Sequence, residues 1–145
     1  MGNTALHKDF HGAMSYAIQH LDKHYGPKDT EAYLRQLARN VYKPLISQMK
    51  KRGLKALEEH WRRTFRIEGG RIRIKRQKEG FTMNVLRCPA IHHMRDHKYM
   101  IADRFCETTH IVNDEICKAA GFRASVDYDQ ENGTCTQRFW KESSK

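Results

Sequence analysis

The hydrophobic period of this chain changes at Gly69-Gly70, and that change limits the fold more than any other feature. Before it, apolar residues recur every three to four positions. Over residues 4–24, Phe10, Met14, Ala17, Ile18 and Leu21 form one helical stripe, and Tyr25-Gly26-Pro27 stops it. Asp29 or Thr30 can cap a second helix carrying Tyr33, Leu34, Leu37, Val41 and Leu45, which Pro44 should kink or divide. A third helical segment, 54–65, has Leu57, Trp61 and Phe65 at steps of four. After the glycines the period is two. Residues 71–75 read as an exposed strand, and 81–88 as a second that Pro89 ends. A helix is predicted over 96–120, with a weak point at Thr108-Thr109 and Gly121 as its C-cap. Phe122, Ala124, Val126 and Tyr128 alternate, Asn132-Gly133 signals a hairpin, and 135–140 is the returning strand. The expected fold is α+β. A helical N-terminal half (4–66) packs on a small antiparallel sheet made of two hairpins joined by a helix (71–141), as one domain over 1–145 with a frayed tail at 142–145.

A chain of 145 residues can bury a core without staples. Its longest apolar runs are a few residues, which excludes a transmembrane helix, and no secretory signal is read at the N-terminus. A cytoplasmic protein with reduced cysteines is therefore expected. The net charge of +10 implies anionic partners. Twelve of the 27 Lys and Arg lie between Lys50 and Lys78, interleaved with Trp61 and Phe65, but Glu58, Glu59 and Glu68 dilute them. No nucleic-acid-binding motif accompanies the stretch, so a solvated face is favoured and nucleic acid is ranked last among the partners.

The four cysteines, at 88, 106, 117 and 135, form no Cys-x-x-Cys pair. Cys88 ends a strand and Cys135 opens one, positions where side chains from separate elements can converge. Cys106, His110 four residues on and Asp103 three before would share one helix face. Such a cluster can lower a thiol pKa, or it can offer two soft ligands to zinc. Cys117 reads as a small core hydrophobe. The pairs His7/His11 and His20/His24 and the group His92, His93, His97 read as polar surface, without an evident third ligand.

Arg87-Cys88-Pro89 at a strand end, Cys106 on the following helix, and the final run Gly133-Thr134-Cys135-Thr136-Gln137-Arg138-Phe139 resemble the L-2-amino-thiazoline-4-carboxylic acid hydrolase family. The resemblance extends over residues 10–141 and includes the helix break at Tyr25-Gly26. It also reaches, more distantly, the four-vinyl-reductase-like ligand-binding domains, some of which hold zinc on cysteines. It implies a small hydrolase opening a cyclic or amidine-like C–N bond of a carboxylate-bearing small molecule. In that reading Cys106 attacks as a thiolate, His110 moves the proton, Asp103 orients the imidazole, and Cys88 and Cys135 complete the catalytic set. Arg87 and Tyr128 bind substrate, Arg87 through its bidentate fork. Zinc is the leading candidate if a cofactor is present, and a homodimer is expected. The alternative is a sensor module that binds a small molecule without consuming it.

Overall fold

The computed structural model describes residues 8–142. Four helices come first: α1 (Asp9–His24), α2 (Pro27–Val41), α3 (Lys43–Arg52) and α4 (Leu54–Glu68). The hairpin β1 (Arg71–Gln77) and β2 (Gly80–Arg87), the helices α5 (Pro89–Asp96) and α6 (Glu107–Ala120), and the hairpin β3 (Arg123–Asp129) and β4 (Thr134–Trp140) follow. The four strands form one antiparallel sheet in the order β1-β2-β4-β3, so the hairpins join through β2 and β4. The expected α+β architecture is the observed one. The expected helix start at residues 4–7 lies outside the described residues, as does the tail beyond Glu142.

Alternation within the strands decides which face is covered. Phe81, Met83 and Val85 of β2 stand opposite Phe139, Gln137 and Cys135 of β4, and this face is buried under the helices. Its core takes in Ala38, Met49, Leu57, Ile116 and Cys117. Each large apolar side chain buried here contributes roughly 1.5–3 kcal/mol. The opposite face carries Arg73, Lys75, Thr82, Arg138 and Trp140. A second cluster joins α1 to α5 through Ile18, Ile91, Met94, Ala102 and Phe105. Charged pairs tie the helices at their rims. Arg35 and Arg39 of α2 reach Glu115 of α6 at 3.1 and 2.9 Å, and Arg76 of β1 reaches Glu58 of α4 at 2.8 Å.

Two local readings are corrected, and the alternative left open at Pro44 is decided. The second helix begins at Pro27 after Gly26, not at a cap from Asp29 or Thr30. The Thr30 hydroxyl is buried and donates to Asp22 at 2.6 Å, bracing the α1–α2 corner. Pro44 divides rather than kinks, because it sits in the first turn of α3 where its missing N–H costs nothing. Phe10 of the first stripe is 55% exposed.

The largest departure is the predicted helix over 96–120. The chain leaves α5 at Asp96, takes a positive φ at Lys98 and re-enters a helix only at Glu107. Side chains from elsewhere capture the backbone groups a continuous helix would pair internally. Ser15 of α1 donates to Met100 O at 2.9 Å and accepts from Ala102 N at 2.7 Å. Gln19 accepts from Asp103 N, while Gln130 accepts from Cys106 N at 2.9 Å and donates to Ala102 O at 2.8 Å. A propensity of a few tenths of a kcal/mol per residue yields to five such bonds.

Candidate functional site

One end of the sheet collects the chemistry. β2 ends there, β3 ends there, β4 begins there, and α5 and α6 both start beside it. Cys88 precedes α5, Cys106 precedes α6 and Cys135 lies near the start of β4. Cys135 packs against the sheet core, Cys106 against the α1–α5 cluster, and Cys88 against both. Three thiols widely separated in sequence therefore meet where the two apolar clusters join. Their charges interact: Cys88 and Cys135 both raise Cys106, and Cys88 raises Cys135. All four cysteines are free, and Cys117 lies apart, fully buried in the sheet core.

The turn of the second hairpin seals this end. The carbonyl of Gly133 accepts from the Cys88 amide at 2.9 Å. Gly133 has φ +67°, and a Cβ there would stand 3.3 Å from Ile91 Cγ2. Only glycine supplies that turn and that clearance together. Gln130, on the same turn, holds the Cys106 amide, and its own carbonyl accepts from Arg95 Nη2 at 3.1 Å.

The thiols are held protonated. Burial pushes Cys106 up to about 12, with the neighbouring sulfurs adding and Arg95 opposing. Burial pushes Cys135 up to about 11, against a hydrogen bond from Gln137 Nε2 at 3.3 Å. Burial also raises Cys88, although the amides of Ile91 and Ala90 at the start of α5 draw it back; no side-chain hydrogen bond caps the helix. Behind Cys135 runs a buried polar chain. Asn113 Nδ2 of α6 donates to Gln137 Oε1 at 2.7 Å, which aims the other end of that amide at the sulfur. Tyr128, directly opposite Cys135 on β3, donates its hydroxyl to Glu107 at 2.9 Å; burial, then that bond, raises its pKa.

The residues expected to act together are thus partly gathered and partly separated. Cys88, Cys106, Cys135 and Tyr128 share the site. Asp103 does not stand on a helix face with Cys106 and His110, because the helix begins after it. It lies exposed in the preceding turn, where its amide donates to Gln19. His110 is half-buried in the first turns of α6, and no hydrogen bond joins it to Cys106 or Asp103 among the described residues. Arg87 lies exposed at the end of β2, at the register slip opposite Arg71, and its charge helps to lower the pKa of His92 after burial. The guanidinium that acts on Cys106 is that of Arg95. Sequence reasoning missed Arg95, Asn113, Gln130 and Gln137. The one signal within reach was Gln137, two residues after Cys135 on a strand and so on the same face.

Among the described residues no three His, Cys, Asp or Glu side chains are grouped as a metal ion requires. The three thiols neighbour one another without forming such a set, so they do not fit zinc. The His20 and His24 rings lie 4.4 Å apart and tilted, and His93 Nε2 donates to Asp9 Oδ1 at 2.9 Å, each without the remaining ligands. His7 lies outside the described residues. No helix among the described residues is long and apolar enough to cross a membrane.

The chain matches no model of a known protein family, and no curated protein matches it.

Proposed function

We propose that the chain is a small thiol-dependent hydrolase that opens a cyclic or amidine-like C–N bond, as its resemblance to the 2-aminothiazoline-4-carboxylate hydrolases implies. The observation that supports this most is the meeting of Cys88, Cys106 and Cys135 at one end of the sheet, with a buried amide aimed at Cys135. Attack falls to Cys135 in this reading, rather than to Cys106 as the sequence suggested. Its sulfur has an oriented side-chain N–H donor, Gln137 Nε2 at 3.3 Å, and among the described residues neither Cys106 nor Cys88 has one. A hydrogen bond to the charged form favours the thiolate as it develops. Sulfur bonds the amidine carbon, the thiol proton passes to the departing nitrogen, and the C–N bond breaks. Water then cleaves the sulfur adduct and restores the thiol. The Tyr128–Glu107 pair, with Tyr128 opposite Cys135 in the sheet register, carries those protons in this reading. Asp103 has no part in this arrangement.

The test is incubation with 2-aminothiazoline-4-carboxylate and mass-spectrometric detection of the ring-opened product. The wild type should turn it over and Cys135→Ser should not. A wild type inert toward this substrate and other cyclic amidines would overturn the reading. A second reading, a module that binds such a molecule without consuming it, is favoured by the burial that keeps every thiol protonated at neutral pH. Saturable binding with intact ligand recovered would establish it.

A further inference from the structure

A groove of about 420 Å3 opens between the end of α2, α3 and α4, and shares no lining residue with the thiol end. That volume lies within the range of small-molecule sites. One wall is apolar: Val41, 58% exposed, with Pro44 and Leu45. The other is aromatic and polar. Tyr42 and His60 meet edge to face at 5.8 Å, and His60 packs against Trp61 at 4.8 Å.

The polar groups of this groove are mismatched, with donors in excess. Its one carboxylate, Glu59, is taken by Arg52, whose Nη2 reaches both oxygens at 2.8 Å. Arg63, on the rim, makes no hydrogen bond or ion pair among the described residues, and neither do the side chains of Tyr42, Gln48 and His60. Burial and the nearby Arg63 charge hold His60 below the ordinary histidine value, so at neutral pH its ring has one N–H to give. A hydroxyl, an amide, an imidazole and a guanidinium thus border an apolar cleft with no free anion to satisfy them. Such a cleft is complementary to a flat apolar body with one acceptor-only head.

We propose that this groove binds a small aromatic monocarboxylate, its ring between Tyr42 and the Val41–Leu45 wall and its carboxylate on the Arg63 guanidinium. Neither the cleavage chemistry nor the thiols enter this proposal, so it stands or falls separately from the reading above.

Trp61 is a local reporter. The chain has two tryptophans, and Trp140, on the open face of the sheet, can be replaced. In the Trp140→Phe protein, titration with phenylacetate should change Trp61 emission saturably. Phenylacetamide, its neutral isostere, should bind at least about tenfold more weakly, the scale of one charge-assisted pair. Arg63 is exposed and has no ion-pair partner among the described residues, so Arg63→Gln should fold, and it should bring the acid down to the level of the amide. No saturable response up to about 10 mM would overturn the proposal, that being weaker than a filled pocket of this size allows. So would equal binding of acid and amide, or a preference for the acid that survives Arg63→Gln.

Discussion

The side-chain amide of Gln137 donates to the sulfur of Cys135 at 3.3 Å, and Asn113 holds that amide from behind at 2.7 Å. Two carboxamides, 2% and 4% exposed, are thus buried in an otherwise apolar core. Burial of such groups is unfavourable unless they are bonded, and here the chain of bonds ends on a thiol. Gln137→Leu should therefore push Cys135 above its present value of about 11. At pH 8 its alkylation by iodoacetamide should slow roughly threefold to tenfold, equivalent to a shift of half to one unit. Peptide mapping of the alkylated protein reads this at Cys135 alone. An unchanged rate would mean that the amide does not act on the sulfur. Asn113 would be left unpaired, at a cost of about 1–3 kcal/mol.

Cys117 sets an alkaline limit. It is fully buried against the sheet, and burial pushes it up to about 12, with Asp114 adding to the effect. A thiol whose folded pKa is raised contributes nothing to pH dependence below its unfolded value. Above it, the folded state holds a proton that the unfolded state releases, so stability falls until the folded pKa is reached. The decline is about 1.4 kcal/mol per pH unit for one such group. Cys117→Ala should lose stability at neutral pH by creating a cavity, but decline less steeply above pH 9. Urea unfolding at a series of pH values checks this through the narrowing gap between the two proteins.

Glu115 sets part of the acid limit. Burial would raise its carboxyl, but Arg39 and Arg35 outweigh that and hold it below the ordinary value. A depressed carboxyl stabilises the fold above its unfolded pKa, and this contribution is lost as pH falls through the folded pKa. Glu115→Gln keeps the volume and removes the charge. It should unfold at lower urea than wild type at neutral pH, and the difference should close as pH falls through the acid range and the Glu115 carboxyl becomes neutral. A difference that persists there would assign Glu115 to packing instead of to its pairing with α2.

Among the described glycines, Gly80 has the least room for a side chain. It pairs with Trp140, and a Cβ there would overlap the Phe139 carbonyl oxygen and stand 2.7 Å from Trp140 Cα. Backbone cannot yield as a flexible side chain can. Gly80→Ala should cost at least about 2 kcal/mol, in the upper part of the range for single substitutions. Gly26→Ala is a useful contrast, because nothing lies within 4 Å of its added Cβ and only its φ of +93° is strained. Thermal unfolding should rank Gly80→Ala the more damaging.

Much of the architecture could be read from periods and breakers. Gly69-Gly70 separates the helices from the sheet, Asn132-Gly133 turns the second hairpin, and Tyr25-Gly26-Pro27 ends α1. These are local signals, because a glycine at positive φ or a proline without an N–H acts on its own backbone. The missing helix between Asp96 and Glu107 was not local. Nothing in residues 97–106 forbids a helix; Ser15, Gln19 and Gln130, far off in sequence, take their backbone groups. The Asp103–Cys106–His110 cluster failed with it, since it required continuous helical spacing. The three thiols were expected to act as one set, but how they come together depends on how two hairpins and two helix starts are assembled.

The sequence by itself determined the order of helices and strands outside residues 97–106, and which side chains are chemically capable of acting at the site. Each follows from a spacing of two or of three to four residues, and so from the backbone next to it. Only the tertiary structure decided which of those side chains meet. It placed Arg95 rather than Arg87 beside Cys106, set Gln137 against Cys135 with Asn113 behind it, and left Asp103 in solvent. The physical reason is range. Dihedral preferences act over a few residues, whereas hydrogen bonds and burial act between any groups the fold brings together, and at this sheet end those contacts outweighed local propensity.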